Sequence, residues 1–333
     1  MLDSDPQVQV AARVSNGRQA IDEIARLAKA GTPIDVVVLD IEMPIMDGMT
    51  ALPRILKADP GIRVLMSSTL TTRGAEIALR ALRLGAADYV AKPGAAEIAD
   101  DSFRQELLAK VKGLARMRRH RWIALQAAST TLSLRSQMVR SPQLLAVGSS
   151  TGGPQALFTL MQGLGKQVPV PVVLTQHMPA SFTPILAEHL NRLNGAPCAE
   201  ARDGEALEPG RAYLAPGNRH LLIDGVPGSL RARLADDPPE NFCRPSVDPM
   251  LRSAAKACGG RVLVVMLTGM GHDGLAGARQ VVAAGGGVIA QDEATSVVWG
   301  MPGAVAQAGL CNQVLPLPSI AGRVLEALRG TRP

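Results

Sequence analysis

The chain has 333 residues, enough for two domains with a sizeable core each, and its 47% hydrophobic and 19% charged content is that of a globular protein, not a disordered one. Aromatic residues make up only 2%, too few for a nucleic-acid module built on stacked rings; no run approaches 18 consecutive apolar residues, so no transmembrane helix is readable, and MLDSDPQ lacks the layout of a signal peptide. The net charge of +6 sits in one segment: residues 1–110 carry −2, residues 144–333 carry +1, and residues 111–143, with seven Lys/Arg and no acid, carry +7.

In chain order, residues 8–13 alternate weakly and predict a strand, and residues 17–29 have the apolar spacing of an amphipathic helix. Residues 34–41 (IDVVVLDI) form a continuous apolar run ending in an acid, the pattern of a buried parallel strand. A helix is predicted over 48–58, a buried strand over 63–67, a helix over 72–84 that stops at Gly85, and a short strand over 89–91 closed by Lys92-Pro93. A last helix starts near Asp100. This alternation implies a parallel sheet, whose functional residues collect at the carboxyl ends of its strands. Asp40, Ser67 and Lys92 stand at those ends. Singly each is an ordinary loop residue. Together they suit phosphoryl chemistry: a carboxylate to accept the group, a lysine to hold its oxygen and a hydroxyl to sense it.

The segments LDIEMPIMDG, MSSTLT and DYVAKP closely resemble the receiver domain of bacterial response regulators, which has a flavodoxin-like α/β fold. The resemblance implies Asp40 as phosphoacceptor and magnesium ligand, Ser67 as switch hydroxyl, Tyr89 as switch aromatic and Lys92 as the family's invariant lysine, with magnesium as the cofactor of phosphorylation. Receivers begin with a central strand ending in an acidic pair, then a helix. Neither precedes Val8, and Asp3 and Asp5 follow no apolar run. Losing that strand would strip two others of a hydrogen-bonded neighbour, and losing the acids would leave Asp40 a poor magnesium site. The expectation is that the natural start lies upstream of Met1; the alternative is a domain that has lost phosphorylation and persists as a cover or docking piece.

Residues 111–143 begin as a helix tail and become rich in Ser, Thr and Ala, which reads as an interdomain linker. Its charge fits a solvated tether, or else a docking strip for an acidic partner or an anionic membrane surface.

Residues 143–147 (QLLAV) predict a strand running into GSSTGGP, and residues 155–164 a helix. Gly148, Ser150 and Gly152 satisfy G-x-S-x-G, which exposes a serine on a tight turn at a helix N-terminus, where free N–H groups can meet developing negative charge. Gly-rich turns of this kind also bind dinucleotides, but such a site wants an acid at the end of the next strand. That strand, residues 171–175 (PVVLT), ends in Gln176-His177. A serine nucleophile needs a base that titrates near neutrality. Of the five histidines, His120 lies in the linker, His189 inside a helical run, and His220 in APGNRH offers a substrate-side group. His272, in a Gly-rich loop, is the rival base; His177, at the end of the next strand after the serine, is the best one. The most apolar strand, residues 262–268, runs into GMGHDG and supplies Asp273 as the orienting acid. The order Ser150…His177…Asp273 differs from that of α/β-hydrolases and points to a Rossmann-like, doubly wound parallel sheet with its own triad. The four cysteines (Cys198, Cys243, Cys258, Cys311) form no CxxC pair, which fits a reducing cytoplasm better than a disulfide or zinc scaffold.

The motifs GSSTGGP, QHMP, APGNRH, TGMGHDG and QDEATSVVWGMPGAV, in that order, resemble the chemotaxis protein-glutamate methylesterase/glutaminase (CheB) family. The layout matches too: receiver 1–110, basic linker 111–143, catalytic domain 144–333. The resemblance implies Ser150 as nucleophile, His177 as base and Asp273 as acid, with the backbone N–H groups of Thr151 and Met270 as oxyanion donors and Ser149 pointing elsewhere. It implies hydrolysis of glutamate γ-methyl esters on methyl-accepting chemotaxis receptors, deamidation of receptor glutamines, and no cofactor for hydrolysis. It further implies a receiver that covers the site until the chemotaxis histidine kinase phosphorylates it. A cytoplasmic monomer with no nucleic-acid partner and no membrane insertion is expected. The competing readings are a non-catalytic receptor-docking adaptor, a nucleotide-binding oxidoreductase lacking its ribose acid, and a DNA-binding regulator, which has no helix-turn-helix pattern to support it.

Overall fold

The computed structural model describes residues 2–69, 71–92, 101–123, 133–136, 141–166, 168–193 and 195–329. The chain divides into two compact units, Met1–Ala128 and Ser129–Pro333.

In the first unit the elements are α1 (Gly17–Lys29), β1 (Val36–Asp40), α2 (Gly48–Ala58), β2 (Arg63–Ser68), α3 (Thr72–Arg83), β3 (Asp88–Ala91) and α4 (Asp101–Ile123). Three helices start at side-chain caps: Asn16 accepts from the Gln19 N–H at 3.0 Å, Asp47 from Thr50 at 2.7 Å and Thr71 from Gly74 at 3.0 Å. The strands form a parallel sheet in the order β1-β2-β3, whose register sets Asp40 opposite Ser67 and Ser67 opposite Val90. The strand expected over residues 8–13 is not formed. Alternation alone supplies no ladder partner, and among the described residues no strand pairs with this segment or with the outer edge of β1, where Val38 is left 40% exposed. Helix α4 runs on into the basic segment. Lys112 pairs there with Asp5 at 2.6 Å and Arg118 with Asp59 at 2.9 Å, so two of that segment's charges are spent inside this unit. Residues 124–132 and 137–140 of the predicted linker lie outside the described residues, as does Pro93.

The second unit holds β4 (Leu144–Ser149), α5 (Gly153–Leu164), β5 (Val172–Gln176), α6 (Thr183–Asn191), β6 (Cys198–Glu200), β7 (Ala212–Leu214), β8 (His220–Val226), β9 (Ser229–Ala235), α7 (Val247–Cys258), β10 (Val262–Met266), α8 (Leu275–Ala283), β11 (Gly287–Gln291), α9 (Met301–Gln307), β12 (Gln313–Leu315) and α10 (Leu317–Arg329). Seven strands make a parallel sheet in the order β12-β11-β10-β4-β5-β7-β6, and β8 pairs with β9 as an antiparallel hairpin. The inner strands are buried on both faces, which explains their continuous apolar runs. Helices α7 and α8 cover one face in a cluster with Leu144, Ala146, Val173 and Val264; α5, beside α6 and α10, adds nothing to that cluster and lies on the other face. From β4 the chain builds outward to one side through β5, then returns to build β10, β11 and β12 on the other. The strand order therefore reverses between β4 and β10, the place at which open parallel sheets gather functional residues beyond the carboxyl ends of their strands.

Candidate active site

The turn after β4 carries two serines with different surroundings. Ser149 is fully buried and its hydroxyl donates to Gln176 Oε1 at 2.7 Å. Ser150 is partly exposed; its N–H donates to the Thr268 carbonyl at 3.0 Å, and its own carbonyl accepts from Gly153 N at 2.8 Å and Gln176 Nε2 at 2.9 Å. The backbone is fixed on every side while Oγ has no hydrogen-bond partner among the described residues. Gly152 turns the chain into α5 with φ +74°, and a Cβ there would lie 2.4 Å from Val297 Cγ2. The loop after β10 comes closer still: a Cβ on Gly269 would stand 2.9 Å from that of Ser150 and 2.3 Å from Met301 Sδ. Among the described residues the N–H groups of Thr151 and Met270 make no hydrogen bond.

His177 follows β5, on the strand beside β4. Its N–H donates to the Ser149 carbonyl at 3.1 Å, its Nε2 lies 2.7 Å from Asp273 Oδ2, and its Nδ1 lies 3.3 Å from Cys243 Sγ. Burial disfavours the imidazolium, but the contacts with Asp273 and Cys243 outweigh it and push the ring up to about 9. Asp273 is 2% exposed and accepts six hydrogen bonds. Oδ2 takes His177 and the Val247 N–H at 2.7 Å each; Oδ1 takes Ser246 Oγ at 2.7 Å, Asn241 Nδ2 at 2.9 Å, and the N–H groups of Gly274 at 2.9 Å and Asp248 at 3.1 Å. Burial alone would raise this carboxyl. The bond and charge of His177, the Val247 N–H and the Ser246 hydroxyl reverse that and hold it well below the usual carboxylate range. Val247 and Asp248 open α7, so the carboxylate caps that helix from outside while Ser246, at the N-cap position, gives its hydroxyl to the acid.

Two other histidines make no side-chain hydrogen bond with Asp273 or His177. His272 is exposed. His220, expected on the substrate side, is 1% exposed; its Nδ1 accepts from the Ser246 N–H at 3.2 Å and its Nε2 lies 3.1 Å from the Pro238 carbonyl. It is a core residue that supports the α7 start, because a strand N-terminus inside the hairpin leaves it no route to solvent. The sequence motifs do not single out Gln176, Asn241, Cys243 or Ser246 as parts of the site. The signal for Ser246 was present: Ser-Val-Asp-Pro is a helix-start pattern, and a helix start is an anion site.

In the first unit, Lys92 Nζ lies 2.6 Å from Asp40 Oδ2, and both side chains are more than a third exposed. Ser67, Glu42, Thr69 and Arg73 line a pocket with them. Tyr89 is buried beneath the Lys110 ammonium, 5.1 Å from the ring centre, and burial pushes its hydroxyl up. Among the described residues the carboxylates of that pocket are Asp40 and Glu42; Asp3 pairs with Arg13 and Asp5 with Lys112. Among the described residues no three His, Cys, Asp or Glu gather as metal ligands; Asp40 and Glu42 are the carboxylates that would hold a magnesium ion there, with waters and phosphoryl oxygens completing its shell. No helix among them is long and apolar enough to cross a membrane.

Residues 145–324 match the family model of the CheB methylesterase, and residues 1–101 that of the response regulator receiver domain. The chain is 48% identical over 351 residues to protein-glutamate methylesterase/protein-glutamine glutaminase 1 of Paramagnetospirillum magneticum, covering 98% of this chain and 91% of that one. It is 50% identical over 349 residues to the like-named protein of the group 2 operon of Rhodospirillum centenum, covering 96% and 87%. The CheB methylesterase catalytic domain of Thermotoga maritima is similar in structure, with a TM-score of 0.54 and 40% identity over 56% of this chain and 98% of that one.

Proposed function

The chain belongs to the CheB methylesterase family, and we infer from this that it hydrolyses glutamate γ-methyl esters of chemotaxis receptors to glutamate and methanol and deamidates receptor glutamines, under the control of a receiver domain. Residues 1–110 are assigned to the receiver, 111–143 to the linker and 144–333 to the catalytic domain.

Ser150 Oγ attacks the ester carbonyl, and its proton passes to His177 Nδ1, the ring nitrogen that Asp273 does not hold. The free N–H groups of Thr151 and Met270 take the oxyanion. The tetrahedral adduct expels methanol with the proton returned from Nδ1, and water, deprotonated by the same nitrogen, then releases glutamate from Ser150. With an amide substrate the leaving group is ammonia. Asp273 remains ionised throughout, fixes the tautomer with its proton on Nε2, and stabilises the imidazolium. The observation that carries this reading is the 2.7 Å contact of His177 and Asp273 at strand ends beside a serine held only by its backbone.

The test is methanol release from a methylated receptor cytoplasmic fragment. Release that vanishes in Ser150→Ala and survives in Ser149→Ala supports the assignment; release that survives in Ser150→Ala ends it. Regulation runs through Asp40 as the phosphorylated carboxylate, with Lys92 on a phosphoryl oxygen, Ser67 sensing it, Tyr89 as its aromatic partner and the chemotaxis histidine kinase as donor. Asp40→Asn should then abolish stimulation by the kinase and leave basal release intact.

A further inference from the structure

The mechanism needs one nitrogen of His177 open to Ser150. In the structure neither is open. Asp273 Oδ2 sits on Nε2 at 2.7 Å, Cys243 Sγ sits on Nδ1 at 3.3 Å, and Ser150 Oγ has no partner among the described residues. A ring facing an acceptor at each nitrogen is suited to holding two protons, the form that cannot act as a base.

The loop that delivers Cys243 is built for placement. Glu240 and Cys243 exchange backbone hydrogen bonds of 3.1 and 2.9 Å across two residues, Asn241 and Phe242, with φ of 53° and 61°. Side chains other than glycine enter this left-handed region at a cost, and here two do so in succession. Burial of the aromatic does not offset that cost, because Phe242 is fully exposed. The loop is tied at its first two residues instead: Arg252 donates a fork to the Glu240 carboxylate at 2.5 and 2.6 Å, and Asn241 donates to Asp248 and Asp273 at 2.9 Å each. Its conformation therefore sets Asn241 on the acid and Cys243 on the base.

We propose that Cys243 is a positioning residue that occupies His177 Nδ1 in the resting enzyme, so that Ser150 must displace the sulfur before it can give up its proton. This rests on the assignment of Ser150 and His177 as nucleophile and base. Asp273 and Cys243 face the ring directly; Asp248, Glu240 and Arg252 stand behind them. Burial disfavours the charged ring, Asp273 favours it, and the sulfur adds to Asp273. The other three cysteines are buried, and burial pushes the thiols of Cys198, Cys258 and Cys311 up to about 12, 11 and 12. Cys243 is the thiol that a reagent in solution meets first.

The experiment uses the full chain. The pH profile of kcat/KM for methanol release is measured for wild type, Cys243→Ala and Cys243→Ser. The expected result is an acid limb displaced to lower pH in Cys243→Ala, with kcat/KM at pH 7 about tenfold nearer its own plateau than in wild type, and an intermediate limb in Cys243→Ser. In parallel, iodoacetamide labelling at pH 7 is mapped by mass spectrometry. Cys243 should react about tenfold faster in wild type than in His177→Ala, a contrast that needs no catalysis and stands if the alanine variant fails to fold. Superimposed acid limbs, a uniform loss at every pH, or equal labelling overturns the proposal. Methanol release that survives Ser150→Ala would instead overturn the nucleophile assignment, and the labelling contrast would still decide whether sulfur and ring are paired.

Discussion

Replacing Asp273 with Asn separates two jobs that one carboxylate performs. Asp273 receives two donors on Oδ2 and four on Oδ1, and at 2% exposure water cannot make good a mismatch. The amide must turn its NH₂ toward one of these sets, and the Oδ2 side, facing His177 and the Val247 N–H, is the less costly. Val247 is then stranded, at about 1–3 kcal/mol, and α7 loses an anion at its N-terminus, at about 1 kcal/mol. The net loss should be about 2–4 kcal/mol. The same NH₂ forces Nε2 of His177 to accept, which moves the ring proton to Nδ1, where it cannot receive one from Ser150; a loss of about 10⁴ in kcat follows. Urea unfolding and methanol release are read on the same preparations, with Ser150→Ala as comparison, since that change removes a hydroxyl that holds nothing together. The carboxyl is depressed in the folded state, so its stabilisation is present above the unfolded value of about 3.9 and fades below it; the stability gap to wild type should close as the pH falls under about 4. Activity within tenfold of wild type, or unfolding coincident with Ser150→Ala, would refute the reasoning.

With the ring of His177 raised to about 9, kcat/KM should climb about tenfold per pH unit from neutrality and level off beyond that value, and a profile already flat at pH 7 would contradict it. The same shift lends stability that is complete below about 6.5 and is lost as the pH rises through about 9, which urea midpoints across that range will show. Ser149→Ala should cost about 1–2 kcal/mol in a thermal melt, because Gln176 Oε1 loses its buried donor, while methanol release stays within about threefold. Gly269→Ala drives a methyl against Ser150 and Met301; kcat should fall about 10²-fold with far less effect on KM, measured on the same receptor fragment.

The parts of the molecule that the sequence makes legible are those whose physics is local. Burial on both faces forces the apolar run 262–268, and the strand appears there as Val262–Met266; the run 34–41 likewise holds a strand, Val36–Asp40, although Val38 is left 40% exposed. Reading strand ends as the sites of chemistry follows from parallel topology alone, and it sets His177 and Asp273, 96 residues apart, in contact. Where the outcome depends on a partner, local pattern misleads. Residues 8–13 alternate as a strand should and find no strand to pair with among the described residues; His220 stands in a motif of loop-forming residues and is buried under the start of α7. Asn241 and Cys243 lie in a stretch with no periodicity at all. Their roles come from backbone angles that no neighbouring residue announces and from contacts reaching 32 and 66 residues along the chain.

One amide links the two halves of the site. Gln176 takes the Ser149 hydroxyl on Oε1 and donates from Nε2 to the carbonyls of Ser150 and His177, at 2.7, 2.9 and 3.0 Å, and Gly153 leaves it room, since a Cβ there would sit 1.9 Å from Oε1. This crossbar spans the gap between two strands and grips the Ser149 hydroxyl and two main-chain carbonyls, not the side chains of Ser150 or His177. In the proposed reaction the Ser150 hydroxyl becomes an ester and then a hydroxyl again, and the His177 ring gains and loses a proton twice. Each of these exchanges can proceed without releasing anything that keeps nucleophile and base at their spacing. Under the proposed mechanism, alignment is thus stored in atoms that take no part in bond making, so the same frame would serve an ester and an amide.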